Sequence, residues 1–410
     1  PVTVTVGKPG VEYFVHFSVV TRQAEPLIPI GHEIAQEQFR LPLETEKDSY
    51  EASGKALGWK AENGKVVVSS SNVYFELDKA TGMVTSYKVN GTEFFDKAFG
   101  VQPNFWRAPN DNDYGNSNPK RLQIWKESSR DFKVSDTAVR EEGETVLMSV
   151  TYDLPAGNQY LITYRIYRDG VVNVNVKFTQ TDREAEKTEV LEDTNLATFT
   201  PGKKVKKKDV LEVPRIGVRF RIPHVMNRVE YFGRGPVENY VDRNAGSMVG
   251  RYKTSVEEMY VNYVRPQENG HRTDTRWVSF TNTAGRGLLV LAEKTIGFNA
   301  LRNTVEDFDS EESSHPYQWR NRSSKEVAGK NEAEAKNVLR RMTHVNDITP
   351  RDFVEVCIDM KQQGVAGYDS WGAKVQPGYT IPASRDYVWG FTLIPIKNVG
   401  DVNKSLRYTY

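Results

Sequence analysis

Hydrophobic and polar residues alternate along most of the chain, in short runs that end at turn residues. Because successive side chains of an extended strand point to opposite faces, this period of two predicts many short antiparallel strands. Patterns typical of helices are scarce, and the best candidate covers residues 331–341, which contain the strong helix formers Ala, Glu, Lys and Leu. The alternation therefore predicts an all-β fold.

The clearest hairpin is predicted around Asp169-Gly170. Residues 162–166 and 172–176 alternate on either side of this pair, and Asp-Gly supplies the positive φ angles that a tight hairpin turn requires. The Ile and Tyr side chains of the first strand are expected to share one face and to pack beside the valines of the second.

Two further segments favour strands. Asn90-Gly91 predicts a second tight turn, which follows a strand at residues 84–89. Residues 387–393 predict a strand near the end of the chain, because aromatic and β-branched side chains pack well in sheets.

Breaks in the alternation predict how the chain is divided. Residues 44–65 combine a charged run with scattered glycines and predict a linker between two β units. Residues 1–43 offer only about three strands, too few for an independent sandwich, so we interpret them as the tail of a truncated domain. Residues 66–410 then form one large domain. Since Pro1 opens a strand-like Val-Thr alternation without an initiator Met, we expect a fragment of a longer protein.

Charge and cysteine content exclude several classes of function. With 55 Lys+Arg against 54 Asp+Glu, the chain has no overall field that would attract a polyanion, so we expect no nucleic-acid partner. The single cysteine, Cys357, excludes an internal disulfide and a metal site of several thiolates. No apolar run approaches the roughly 20 residues that span a bilayer, and no signal peptide opens the chain, so no membrane partner is expected.

Three further segments do not predict a functional site. The lysine-rich run at residues 203–208 is interpreted as a solvated loop. The glycines at residues 233–236 do not form a nucleotide-binding motif, because Glu238 occupies the position of the third glycine and no helix pattern follows. Residues 312–341 are interpreted as a polar surface insertion.

Three motifs carry a resemblance to a known family. They read Phe-Trp-Arg-Ala-Pro-Asn-Asp-Asn-Asp at residues 105–113, Gly-Arg-Gly-Pro-Val-Glu-Asn-Tyr-Val-Asp-Arg at residues 233–243 with Pro-Gln-Glu-Asn-Gly at residues 266–270, and Asp-Ser-Trp at residues 369–371. In this order they resemble the C-terminal region of the large, lactose-hydrolysing bacterial β-galactosidases. Upstream, Gly-His-Glu-Ile at residues 31–34 resembles the last strand of the immunoglobulin-like domain that precedes the final, small-chain domain in that family.

The resemblance implies a fold and a division of labour. The final domain is expected to be a large antiparallel supersandwich similar to the galactose mutarotases, preceded by a few strands of an immunoglobulin-like sandwich. The family's catalytic acid and nucleophile lie upstream in a (β/α)₈ barrel, and this chain lacks the βαβ alternation that builds one. We therefore expect the chain to be catalytically incomplete and to carry no cofactor, which leaves open a need for Mg²⁺ and Na⁺ ions bound upstream.

Trp371 is the residue most expected to touch sugar. Glycines and polar residues surround it, which predicts a loop, and an exposed indole can stack on the apolar face of a sugar ring. The alternative is a core tryptophan, but the resemblance implies a sugar platform that reaches into the barrel's active site. Asp369 is a weaker candidate from the same motif. We expect the other six tryptophans to lie in the core, namely Trp59, Trp106, Trp125, Trp277, Trp319 and Trp389.

Residues 115–119 form the second candidate element. Their Gly, Asn and Pro content favours a loop, and the resemblance implies that Gly115, Asn116 and Ser117 lie near the mouth of the sugar site. Just before them, Asp111 and Asp113 could share one face of a strand or lie in a loop, and they could be a catalytic pair, since retaining glycosidases use two carboxyl groups. We favour a structural role, in which these carboxylates cap turns and accept backbone N–H groups.

The intact protein is expected to hydrolyse terminal β-D-galactosides, with the upstream barrel as partner and the possibility of a homo-oligomer. Two alternatives stay open. A mutarotase-like aldose epimerase would need a His and a Glu in a deep pocket. A carbohydrate-binding module would need a row of exposed aromatic side chains. The sequence leaves the compartment open between bacterial cytoplasm and periplasm.

Overall fold

The computed structural model describes residues 7–43, 45–180, 212–309, 344–369 and 372–410. Several predictions lie outside the described residues, namely those on Trp371, Trp319, the lysine run, the polar insertion with its helix at 331–341, and the first Val-Thr run.

Strands are the main secondary structure of the described residues. In chain order they are β1 Phe14–Val20, β2 Glu33–Arg40, β3 Asp48–Ser49, β4 Gly58–Glu62, β5 Lys65–Ser69, β6 Val73–Asp78, β7 Val84–Val89, β8 Thr92–Glu93, β9 Gln102–Asn104, β10 Lys133–Glu142, β11 Thr145–Asp153, β12 Gln159–Ile166, β13 Val172–Thr179, β14 Arg215–Pro223, β15 Arg228–Gly235, β16 Met248–Ser255, β17 Arg272–Thr281, β18 Gly287–Leu301, β19 Phe353–Gln362, β20 Tyr387–Ile396 and β21 Tyr408–Thr409.

The helices are single turns or little more. They are α1 Asp111–Gly115, α2 Asn118–Arg121, α3 Gln123–Ser128, α4 Val256–Met259, α5 Val305–Phe308 and α6 Asp401–Ser405. Over the described ranges, no helix has the length and apolar character needed to cross a membrane. The all-β prediction is confirmed.

One large antiparallel sheet organises the molecule. Its main path runs β10-β11-β12-β13-β20-β18-β17-β15-β16, and β19, β14 and β9 branch from β18. A five-stranded sheet, β4-β5-β6-β7-β8, forms a separate layer. Since β14 pairs with both β9 and β19, strands that are distant in sequence become neighbours. This pairing brings the segments that follow β9 and β19 together, and Asp242 contacts the second of them at Val365 and Ala366.

Both predicted hairpins and the late strand are confirmed. Strands β12 and β13 pair antiparallel around Gly170, whose φ is 90°, and the inward face of β12 is fully buried. Asn90 and Gly91 have φ angles of 51° and 78° between β7 and β8, as a tight hairpin turn requires. The predicted segment 387–393 lies within β20.

An aromatic layer joins the two large sheets. The Phe75 ring on β6 lies 5.7 Å from Tyr87 and 5.5 Å from Tyr164 on β12, and all three side chains are buried. The Tyr87 hydroxyl also donates to the carbonyl of Gly170 at 2.6 Å. Since burying a large apolar side chain contributes about 1.5–3 kcal/mol, this layer is a major source of stability.

The tryptophan predictions hold with one exception among the described residues. Trp106, Trp125, Trp277 and Trp389 are buried, as expected. Trp59 is 41% exposed, so the core prediction is wrong there. The reason is its place on β4, which is the edge strand of the five-stranded sheet and, among the described strands, pairs only with β5.

The N-terminal hairpin β1–β2 is attached to the large sheet mainly through polar groups. The Gln38 amide donates to the carbonyl of Val249 at 2.8 Å and accepts the N–H of the same residue at 2.9 Å, so that it continues the ladder of edge strand β16. Within the predicted linker, β3 pairs with β21 and β4 pairs with β5. The linker therefore contains ordered strands, while the predicted domain limits themselves stay predictions.

Candidate functional site

The first motif ends in the capped helix α1. The Asn110 side chain accepts the N–H of Asp113, and the Asp113 carboxylate accepts the N–H of Asn110, both at 2.9 Å. This reciprocal pair satisfies two backbone donors that a helix N-terminus otherwise leaves unpaired. Asp113 is thus structural, as favoured, but it lies in a helix rather than in the strand or loop considered for it.

Arg107 and Asp113 form a buried ion pair beneath α1. Both side chains are almost inaccessible to solvent, and Arg107 Nη2 donates to Asp113 Oδ1 at 3.0 Å. Asn118 Nδ2 donates to the same oxygen at 2.7 Å. Together with the Asn110 N–H, these donors occupy the carboxylate's lone pairs. Asp111, by contrast, points outward and pairs with Arg265 at 2.8 Å.

Side chains of the second motif accept backbone N–H groups of residues 270 and 273. The Glu238 carboxylate accepts the N–H of Gly270 at 2.8 Å, and buried Asn239 accepts the N–H of Thr273 at 2.9 Å. Asp242, from the same motif, accepts two consecutive backbone N–H groups, those of Val365 at 3.1 Å and Ala366 at 2.8 Å. The second motif therefore connects to the segment that leads into the third.

Side chains of the first motif bind the carbonyl groups of the same segment. Arg107 Nη2 donates to the carbonyl of Gly364 at 3.3 Å, and Asn110 Nδ2 donates to the carbonyl of Val365 at 3.0 Å. We call Arg107, Asn110, Asn112 and Asp242 the loop clamp, and residues 364–373, of which the structure describes 364–369 and 372–373, the clamped loop.

Asn112 completes the loop clamp. With its side-chain oxygen toward Gly367, its amide accepts the N–H of Gly367 and donates to the carbonyl of Asp369, both at 3.2 Å. Asp369 Oδ1 in turn accepts the N–H of Ala373 at 3.2 Å, across the loop. The weaker candidate Asp369 therefore has an observed structural role, and no contact in the structure tests its predicted sugar contact.

The two sequence-predicted site elements touch each other. A Cβ atom at Gly372 would lie 2.4 Å from the carbonyl carbon of Gly115, so the two backbones approach as only glycine allows. Asn116 Nδ2 also donates to the carbonyl of Ala373 at 3.3 Å. Segments about 250 residues apart in sequence thus meet at Gly372, which follows Trp371 in the chain.

The predicted loop at residues 115–119 is more compact than expected. Gly115 ends α1, Asn116 and Ser117 form the turn, and α2 begins at Asn118. Ser117 adopts a left-handed conformation with φ of 60°. Pro119 is compatible with α2 because it lies in the first turn, where its missing N–H costs no hydrogen bond.

A buried polar cluster lies under the first motif. Arg215 Nη2 donates to Glu268 Oε1 at 3.0 Å, and Arg215 Nε lies 3.2 Å from Asp359 Oδ2. Burial, opposed by Arg215, raises the pKa of Asp359 from 3.8 to about 7. Burial and the nearby Arg215 also hold the pKa of His271 well below its ordinary value, so this imidazole is neutral.

The polar cluster supports the first motif through its backbone. Arg215 Nη1 donates to the carbonyl of Trp106 at 3.4 Å, and the N–H of Glu268 donates to the carbonyl of Ala108 at 3.3 Å. The sequence predicted neither the support of the first motif by Arg215 and Glu268 nor the binding of residues 365–366 by Asp242. Asp242 and Glu268 lie within the recognised motifs, but only the three-dimensional contacts reveal which groups they hold.

Within the described ranges, no group of three or more His, Cys, Asp or Glu side chains is arranged to hold a metal ion. The expectation that any metal ions belong to the upstream part stays a prediction.

Sequence comparison identifies the family. The Beta galactosidase small chain profile matches residues 69–393, and a profile for beta-galactosidase domain 4 matches residues 1–42. The chain belongs to the beta-galactosidase small chain family. The resemblance inferred from the three motifs is confirmed.

Relatives of this small chain are considerably longer. The beta-galactosidase of Priestia megaterium is 32% identical over 368 residues, which cover 89% of this chain and 30% of the relative. That of Streptococcus thermophilus is 27% identical over 97% of this chain and 33% of the relative. The small chain thus spans about a third of the length of these relatives.

Structural similarity is weaker. A galactose mutarotase related enzyme from Lactobacillus acidophilus aligns with 81% of this small chain and 97% of that enzyme, at 8% identity and a TM-score of 0.37. A similarity of this size has no bearing on function.

Proposed function

We propose that this chain is the non-catalytic C-terminal portion of a retaining β-galactosidase, and that the clamped loop supplies a sugar platform, Trp371, to an active site built by an upstream (β/α)₈ barrel. The observation that carries the proposal is the convergence of the three motifs. Gly372 packs on Gly115, and Asn112 holds Asp369, so the two elements assigned to the sugar site share one surface.

The carboxylates of this surface support a binding role rather than an acid–base role. A catalytic carboxylate needs an oxygen that is free to accept or deliver a proton. The Asp113 oxygens are occupied by Arg107, Asn110 and Asn118. Glu238 is engaged similarly, by the N–H of Gly270 and the hydroxyl of Tyr263. The chemistry is therefore assigned to the upstream part, and this chain contributes shape and stacking.

The buried residues Glu268 and His271 do not provide the deep pocket that the epimerase alternative needs. Glu268 and His271 are both buried, and the His271 ring stacks on Tyr240 with 5.6 Å between centroids. The cavity that Glu268 lines measures about 10 Å³, which is room for about one water molecule and far too small for a sugar.

The first experiment assays this chain on a chromogenic β-galactoside, alone and after addition of the N-terminal two thirds of a family member. We expect no turnover alone and turnover after complementation. Turnover by the isolated chain would refute the assignment of catalysis to the upstream part.

The second experiment replaces Trp371 in the intact enzyme. Trp371→Ala is expected to weaken galactoside binding by about 1–3 kcal/mol, the usual cost of losing an aromatic contact. Trp59→Ala is the matched control, since Trp59 is 41% exposed on the distant edge strand β4. Equal KM and kcat in Trp371→Ala and the control would remove the platform role.

A further inference from the structure

A large open cleft is built from residues outside the three motifs. It measures about 750 Å³ and is lined by parts of β7, β18, β20 and β21, and none of its described lining residues belongs to a motif. Its apolar lining includes Val89, Val171 and Ile394. The cleft has the size of a site for a small metabolite, since such sites typically enclose roughly 300–1,000 Å³.

Arg286 and Lys397 bring two positive charges together in the lining of this cleft. Strands β18 and β20 pair up to Gly287 with Ile396, and Arg286 and Lys397 are the residues immediately beyond this pair. Both residues are exposed, and neither side chain forms an ion pair within the described ranges. Like charges at facing positions of neighbouring strands repel each other. An anion bound between them would relieve this repulsion.

Arg168 adds a donor that lacks an acceptor. Its Nη1 pairs with Glu144 Oε1 at 2.8 Å, whereas its Nε is buried and has no hydrogen-bond partner among the described residues. Leaving a buried N–H unpaired is unfavourable, because the bond to water that it loses is not replaced. Since Arg168 also lines the cleft, an oxygen of a bound ligand would supply the missing acceptor.

The acidic side chain of the lining is already occupied. Asp169 is the one carboxylate among the described lining residues. Its Oδ1 accepts the N–H of Val171 at 3.2 Å, and its Oδ2 accepts the hydroxyl of Tyr50. The lining contains four cationic side chains, namely Arg168, Arg286, Lys397 and Lys404.

Two of these four cations have partners outside the lining. Arg168 pairs with Glu144, and Lys404 pairs with Asp401 at 3.3 Å. The charges of Arg286 and Lys397 therefore remain uncompensated within the described ranges. A cleft with such charges and a spare N–H donor favours a ligand that carries negative charge and oxygen acceptors.

We propose that this cleft binds a small organic phosphate. A phosphoryl group carries about 1.5–2 negative charges near pH 7 and three acceptor oxygens, so it suits two cations and a further N–H donor better than a carboxylate does. The Arg286 guanidinium binds two phosphate oxygens, and Lys397 acts as a point charge. The apolar lining contacts the organic part. This site does not depend on the proposed function.

The test is calorimetric titration of the intact enzyme with glucose-6-phosphate and, separately, with adenosine monophosphate. We expect one of the two to bind, with an affinity that falls as the ionic strength rises. The probe that binds shows whether the organic part is a sugar or a nucleoside. If neither probe binds, for example because the upstream part covers the cleft in the intact enzyme, the proposal is overturned.

Charge-removing variants locate the bound probe. Arg286→Gln and Lys397→Gln should each weaken binding about tenfold, as for the loss of a hydrogen bond to a charged group. Lys133→Gln is the matched control, because Lys133 is an exposed lysine on β10 and lies outside the described lining. Wild-type affinity in both cleft variants, or an equal loss in the control, would show that the probe does not bind in the cleft.

Thermal unfolding gives an independent measurement on the same variants. Since a ligand that binds only the folded state raises the Tm, the probe should raise the Tm of the wild-type enzyme and of Lys133→Gln by more than that of Arg286→Gln. The Tm values without probe identify any variant that fails to fold, and Arg286→Lys, which keeps the charge, should recover part of the affinity. Equal Tm shifts in all variants would reject the site.

Discussion

The loop clamp and the aromatic layer both hold together segments that are far apart in sequence, but they do so by different forces. The layer joins Phe75, Tyr87 and Tyr164 by apolar contact, which is strong and tolerant of small shifts. The loop clamp uses Arg107 and Asp242, whose hydrogen bonds require particular distances and angles. Apolar packing thus decides whether the chain folds, whereas directional polar contacts decide where the segment at residues 364–366 lies.

Removing the centre of the aromatic layer should have the largest effect on stability. Phe75→Ala is expected to lower the free energy of unfolding by about 3–5 kcal/mol, because the cavity between two sheets cannot close. Chemical denaturation measures the loss. In the intact enzyme below its melting temperature, KM should stay near the wild-type value; a raised KM would show that the two regions are not separable.

Breaking the buried ion pair should both lower stability and raise KM. Asp113→Ala leaves the Arg107 guanidinium buried without its carboxylate, which we expect to cost about 3 kcal/mol of stability. Since Arg107 also holds Gly364, KM should rise as well. Asp111→Ala is the control, because its carboxylate is largely exposed and its pair with Arg265 should contribute little. Similar losses in the two variants would contradict a buried, essential pair.

The polar cluster predicts a pH dependence of stability. The pKa of Asp359 is raised in the folded chain from 3.8 to about 7, so the folded state holds this proton more tightly than the unfolded state does. Stability from this group is therefore full below about pH 4 and is lost as the pH rises toward 7, by at most about 1.4 kcal/mol per pH unit.

Asp359→Asn, which mimics the protonated carboxyl, should remove that slope. Unfolding measured from pH 4 to 8 for both proteins gives the comparison. Arg215, Glu268, His271 and Cys357 surround the group and stay unchanged in the variant. Parallel curves for the two proteins would show that Asp359 does not titrate in this range.

The smallest effect is expected where a single neutral hydrogen bond joins the two loops. Asn116→Ala removes the bond from Asn116 Nδ2 to the carbonyl of Ala373 and should cost about 0.5–1.5 kcal/mol. Hydrogen exchange of the amides in residues 364–369 and 372–373 should accelerate, while those of the aromatic layer stay protected. Uniform acceleration would place the effect on global stability instead.

Much of the fold was predictable from local patterns, and the exceptions have physical causes. The hairpin at Asp169-Gly170 follows from alternation and turn chemistry, which act over a few residues. Helix α1 was missed because it is a single capped turn, too short to show a helical period in the sequence, which left a strand or a loop as the alternatives. Trp59 was misplaced because the sequence does not show which strand lies at a sheet edge.

The candidate site was also predictable only in part. The motifs were recognisable in the sequence, because each is a continuous run with distinctive residue types. Their meeting was not, because β9–β14 and β14–β19 pairing joins segments that lie more than 100 residues apart. The same holds for Asp242, whose partners Val365 and Ala366 lie more than 120 positions away.

The sequence by itself determined the all-β class, the tight turns and the family, since alternation, Asp-Gly and Asn-Gly pairs and contiguous motifs are local properties. Only the tertiary structure decided that Asp113 is fully occupied, that Gly372 must be a glycine and that Asp242 faces the loop. These depend on distances between remote segments, and such distances are set by the packing of the sheets as a whole.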